Sequence, residues 1–139
     1  MDAKRLRYLL LPVIALILEL LPYGAVCNFA NPEGEPFRET YSYFDLLPFG
    51  YANFAPLLTA LLTCVVTILL VSFLFSGSPR IARVAKIVTV AAAILSLCPL
   101  LLGVRYYSVV GGGISLTLAL EALWLYVGLG AGKHPRTDD

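Results

Sequence analysis

The sequence predicts an all-α membrane protein: a four-transmembrane-helix bundle, one domain over residues 1–139, with both termini cytoplasmic and one long extracytoplasmic loop. Three observations carry this. Hydrophobic residues make up 59% of the 139 positions and charged residues 14%, against roughly 45–50% and about 25% in soluble domains. The apolar residues fall into four blocks, 6–27, 54–75, 81–104 and 108–131, each 22 to 24 residues long, and about 20 suffice for a helix to cross a core of about 30 Å. Eight of the ten lysines and arginines fall on one set of connections, which the positive-inside rule assigns to the cytoplasm.

The first block follows Lys4, Arg5 and Arg7, as a secretory signal would. Val26 before Cys27 and Glu19 within the apolar run fit a cleaved signal poorly, so a retained span is expected. In the phrase LPYG at its outer end, Pro22 cannot continue the helical ladder and Gly24 relaxes the backbone. The second block is entered through a similar phrase, LPFG, where Pro48 and Gly50 turn the chain back. Asn53 is expected to cap the new helix, with Pro56 in its first turn. On this reading the duplicated phrase does one task twice, leaving the bilayer and re-entering it. Helices are expected throughout because backbone amides in lipid need internal partners, and no block alternates like a barrel strand.

The third block carries Arg83 and Lys86 in its first turns, where long stems snorkel to headgroups. Ala85, Thr89, Ala93 and Ser96 form a small face along it. The fourth block places Gly113, Thr117, Glu121, Gly128 and Gly132 on one stripe, with Gly128 and Gly132 as a GxxxG pair for close helix packing. On the second block Thr59, Thr63 and Thr67 recur every fourth residue. A compact bundle with a thin polar thread is the expectation.

Residues 28–53 form the one long loop, expected outside. It holds Glu33, Glu35, Glu39 and Asp45 against Arg38, a net charge of −3. Its aromatic residues suit an interfacial belt along the headgroups, joined by Tyr23, Tyr106 and Tyr107. A sharper reading makes the loop a folded cap whose Tyr41, Tyr43, Phe44, Asp45, Phe49 and Tyr51 form a binding surface, with the TYSYF run adding a strand.

Glu19 and Glu121 are the candidate intramembrane site, with Thr117, Thr59 and Thr63 as polar neighbours. A carboxyl near the midplane is expensive on insertion scales, at about 3 kcal/mol, and seldom faces lipid. Either both acids are protonated and donate hydrogen bonds to threonines or carbonyls, or they form a protonatable site of the kind proton-coupled transporters use.

A four-span chain with a glutamate in its first span resembles the small multidrug exporters, which implies proton-linked export. Those exporters have short loops throughout, whereas this chain has a loop of 26 residues. The long first outer loop is shared with claudin-like proteins, but the loop tryptophan and paired cysteines are missing; the one Trp is Trp124, in the fourth span. Isolated Cys27, Cys64 and Cys98 lack the CxxC of four-helix membrane disulfide oxidoreductases. Cys27 and Cys98 both lie toward the outer side, where pairing and simple packing are both open. The chain also resembles small four-pass proteins of Gram-positive gut bacteria, and that likeness implies no activity.

His134 sits in the tail, and no zinc-protease, GxSxG, Walker or Rossmann pattern is present. Gly111 to Gly113 are read as an anion-binding nest, as a loosened helix start or as a place that admits a close neighbour. No catalytic residues, cofactor or metal are expected, and a net charge of +1 gives no reason for a nucleic-acid partner. The expected partners are the lipid bilayer of a bacterial plasma membrane and, through the outer loop or small helix faces, a second copy or another membrane protein. Two functions follow: a non-catalytic membrane component, or a small proton-coupled transporter built on the two glutamates.

Overall fold

The computed structural model describes residues 3–51 and 53–130. Gly132, Lys133, His134 and Arg136 lie outside them. The chain is mostly helical, with one small β-hairpin. Three helices are long and apolar enough to cross a membrane: Ala55–Ser76, Pro79–Leu102 and Val109–Leu129, of 22, 24 and 21 residues.

The first helical stretch is different. It runs as α1 (Ala3–Leu6), a 3-10 turn (Arg7–Leu9) and α2 (Leu10–Leu20). Pro12 lacks the N–H that would bond the Tyr8 carbonyl, and the tightened turn sits where that bond is lost. The helix expected to reach Cys27 ends at Leu20, with Leu21 already extended. Pro22 is the reason: it has no N–H for the Leu18 carbonyl, which instead accepts from Leu21 N–H at 3.2 Å.

Released from the helix, the chain forms β1 (Ala25–Phe29), which pairs antiparallel with β2 (Phe37–Tyr41) in the register Ala25↔Tyr41 to Phe29↔Phe37. An isolated bridge joins Ala25 to Tyr107 on the other edge of β1. The second LP-aromatic-G phrase does not repeat the work of the first. It folds as the short helix α3 (Leu46–Gly50), whereas LPYG is the turn that ends α2. Asn53 is no helix cap either. Phe54 occupies that position without a side-chain bond, and Asn53 Nδ2 donates to the Val26 carbonyl at 3.2 Å, tying the next helix to the hairpin.

Helix α4 (Ala55–Ser76) ends on Gly77, whose φ of 62° is left-handed and whose N–H returns to the Phe73 carbonyl. Ser78 is extended, and α5 (Pro79–Leu97) starts with proline where no amide partner is needed. Regular α-helix stops at Leu97, before the third block's expected end at Val104. Pro99 forces a 3-10 turn over Cys98–Leu102, followed by Gly103 at φ 123° and a second 3-10 turn, Val104–Tyr106. Then α6 (Val109–Gly130) completes the chain.

Helices α2, α4, α5 and α6 pack in a ring, each against its two neighbours. Small residues make this possible: Ala15, Ala60, Ala85, Ala92 and Thr89 are all wholly buried at helix contacts. On α5 the inward face is Ala85, Thr89, Ala92 and Ser96. Ala93, expected in that face, is only half-buried. The core divides into two clusters, one around Tyr43, Ile114 and Leu118 beneath the hairpin, the other around Val66, Leu70 and Leu125 toward the opposite end. Glu121 lies on α6 between Leu118 and Leu125, where the two clusters meet.

Candidate functional site

Both glutamates of the expected site are wholly buried, yet the fold keeps them apart. A Cβ on Gly113 would meet Leu18 at 3.6 Å, whereas one on Gly128 would run into the Tyr8 ring, which also packs 5.9 Å from Trp124. So α2 and α6 run antiparallel. Glu19 lies beside the Gly113 turn, and Glu121 is eight residues further along α6, roughly 12 Å at 1.5 Å per residue. Because α2 stops at Leu20, Glu19 sits in its last turn under the hairpin rather than deep within a span.

Glu19 is integrated there. Its Oε1 accepts from Thr63 Oγ1 at 2.7 Å, and its backbone carbonyl accepts from Tyr43 N–H at 2.9 Å. Thr63 has a second acceptor, the Thr59 carbonyl at 3.0 Å, and its single hydrogen serves one at a time. Glu19 Oε2 and Thr59 Oγ1 have no hydrogen-bond partner, and neither does either oxygen of Glu121. Thr117, one turn before Glu121, donates to its own helix at Gly113 O, 2.8 Å. Thr67 and Thr89 likewise bond the carbonyls of Thr63 and Ala85. Most hydroxyls of the expected polar thread therefore close on their own helix. One interhelical chain that sequence reasoning missed runs from Tyr107 Oη to Ser115 Oγ at 2.7 Å and from Ser115 Oγ to the Ser96 carbonyl at 3.2 Å.

The loop over residues 28–53 is a built cap. Ser108 Oγ donates to the Gly24 carbonyl at 2.7 Å and accepts from Gly111 N–H at 2.8 Å. Gly24 must be glycine, since a Cβ would lie 2.8 Å from the Tyr43 ring. Gly111 packs against the same place, near Gly24 O and Tyr43 Oη, so the triple glycine admits a close neighbour. Of the six expected surface residues, Tyr43 is a correction: it is 1% exposed and forms core beneath the hairpin. Burial pushes its phenol well above the ordinary tyrosine range. Phe49 and Tyr51 are exposed; Tyr51 meets Phe29 edge-on, Phe29 stacks on Phe37, and Phe49 meets Phe54 edge-on. Phe44 is half-buried, and Asp45 is exposed and holds Ser42 N–H at 2.9 Å. Tyr41 Oη donates to Glu39 Oε2 at 2.5 Å, and that bond pushes its phenol up to about 12.

Cys27, Cys64 and Cys98 are all free. Cys27 is buried in the cap, and burial, then the Glu39 charge, pushes its thiol up. Among the described residues no group of His, Cys, Asp or Glu is placed to hold a metal ion. At the end opposite the hairpin, Arg5 lies over the Phe73 ring at 5.4 Å and Lys86 over Tyr126 at 5.3 Å. Comparison with protein-family models, with curated proteins and with solved structures finds no match to this chain.

Proposed function

We propose that this chain is a four-pass component of a bacterial plasma membrane, with both termini cytoplasmic, that acts without catalysis by associating with a second copy or another membrane protein. The observation that carries this reading is the cap. It is pinned to the bundle through Asn53, Ser108 and the Tyr43 amide, yet presents Phe37, Phe49, Tyr51 and Phe54 exposed. A rigid platform with exposed rings suits recognition, since aromatic anchors on preorganised backbone lose little entropy on binding.

The fourth pass is supported by α2 packing in the same ring as the three long helices, and the cytoplasmic termini by Arg5, Arg80, Arg83 and Lys86 lying away from the cap. The exposed rings would also form the aromatic belt at the outer headgroups. Reporter fusions at the tail and photocrosslinking from Tyr51 test the reading together. The tail should report cytoplasmic, and Tyr51 should crosslink to a protein where the lipid-facing Ile68 crosslinks only to lipid. A tail outside the cytoplasm, or lipid adducts alone from Tyr51, would overturn it.

A second reading, proton-linked transport, is favoured by one observation: both Glu121 oxygens lack a partner in the bundle. It requires Glu121→Gln to abolish pH-dependent uptake or export while expression stays intact. Equal flux in wild type and variant would remove it.

A further inference from the structure

The outer face also carries a cationic groove whose two arginines neither functional reading uses. It has a volume of about 690 Å³ and runs between β2 and the turn that follows α5. Asn28, Phe37, Arg38, Arg105, Tyr106 and Tyr107 line it. Arg38 and Arg105 are the only two basic residues of the outer connections, and the fold brings them to one place from positions far apart in the chain. Arg38 is held by Nη2 donating to the Tyr107 carbonyl at 3.1 Å, and Asn28 Nδ2 donates to the Arg105 carbonyl at 3.4 Å, which fixes the second wall. Among the described residues no acid pairs with either guanidinium. Glu39, the nearest acid on β2, is bonded by Tyr41, and Asp45 by the Ser42 amide. Glu33 and Glu35 are exposed in the hairpin turn.

Two guanidiniums leave most of their ten N–H donors free in a planar arrangement suited to phosphate oxygens. The turn after α5 carries an exposed apolar strip, which reaches the groove at Val104. Leu101 is 85% exposed and Val104 81%, and Val104 itself lines the groove, so a polar head in the groove would continue into chains along this strip.

We propose that the groove binds the phosphate of an anionic phospholipid headgroup, Arg38 and Arg105 holding the phosphate oxygens while the acyl chains lie along Leu101, Leu102 and Val104. The inference rests on α4, α5 and α6 lying in a membrane and on neither functional reading.

The test is native mass spectrometry of the full chain purified with equal phosphatidylglycerol and phosphatidylcholine. Wild type should retain phosphatidylglycerol preferentially, and Arg38→Gln and Arg105→Gln should each reduce the preference about fivefold, as one basic group near a bilayer surface is worth. Arg80→Gln, at the other end of the bundle, should leave it unchanged. Arg105→Gln is the cleaner variant, because no described residue bonds its guanidinium, and an unchanged thermal midpoint shows that the fold is intact. Equal retention of the two lipids, or an equal loss in Arg80→Gln, overturns the proposal. Displacement of the lipid by excess glycerol phosphate would assign the groove to free phosphate and overturn the lipid source. Solubility without detergent would instead sink the membrane premise itself.

Discussion

The two buried glutamates lie at different levels of one bundle, Glu19 under the hairpin and Glu121 at its middle, and their surroundings differ in kind. Glu19 lies where three elements converge: Thr63 of α4 donates to its side chain, Tyr43 of the cap donates to its carbonyl, and α2 ends one residue later. Glu121 lies mid-helix between two apolar clusters, with neither oxygen bonded. A buried polar group with a partner contributes modestly to stability, while one without a partner is destabilising by its whole desolvation penalty. The difference separates an acid tied into the packing by a hydrogen bond from one buried without a partner.

Replacing the keystone of the cluster beneath the hairpin should have the largest effect. Tyr43→Ala removes the wholly buried ring under the hairpin and is expected to destabilise by about 3–5 kcal/mol. The loss should appear as a lower thermal midpoint in detergent and as rapid maleimide labelling of Cys27, buried in the native cap. Slow labelling in this variant would mean that the cap does not depend on the core beneath it.

The direct contrast is next in size. Glu121→Leu should stabilise by about 1–3 kcal/mol, the penalty of an unpartnered buried polar group. Glu19→Leu should change stability by less than about 1 kcal/mol, because Thr63 retains the Thr59 carbonyl as acceptor. If the two substitutions shift the midpoint equally, the acids are equivalent and the contrast fails.

Gly128→Ala probes α6 beyond Glu121, at the end of the bundle away from the hairpin. Its new methyl meets only the far end of the Tyr8 side chain, so a loss of about 1 kcal/mol is expected as Tyr8 swings aside. Adding Tyr8→Phe should recover most of it. No recovery would place the strain elsewhere along α2 and α6.

The smallest effect is at the cap's rim. The Tyr41 phenol is raised from 10.0 to about 12 by its bond to Glu39. A raised folded value means that the folded state holds the proton more tightly. This contribution is therefore complete below pH 10 and disappears as pH climbs through about 12. Ultraviolet titration should show two tyrosines ionising late, Tyr41 and the buried Tyr43, and Glu39→Gln should return Tyr41 alone toward the ordinary value.

Local pattern made part of this legible. Three long apolar runs became helices within a residue or two of their expected starts, because lipid leaves the backbone no alternative to internal hydrogen bonds. The every-fourth threonines announced the inward face of α4, and Gly128 announced a close contact on α6. Glu19 and Glu121 were identifiable as buried from charge inside apolar runs. Their depths were not. Glu19's depth followed from where α2 stops: Pro22 marked a break in the helical ladder, but the apolar run carried the expected span on to Cys27, past the actual end at Leu20. Tyr43 and Tyr51 look alike as residues in an aromatic loop, and nothing nearby in the chain says which one turns inward.

The amino-acid order by itself determined which segments are apolar and helical, where proline and glycine interrupt them, and which acids are surrounded by oil, since these depend on composition and on periods of a few residues. Tertiary structure alone decided that Ala25 pairs with Tyr41, that Arg38 meets the Tyr106–Tyr107 turn, and that Glu19 acquires Thr63 while Glu121 acquires nothing. Those outcomes depend on contacts between residues tens of positions apart, whose energies are set by packing geometry that no local pattern encodes.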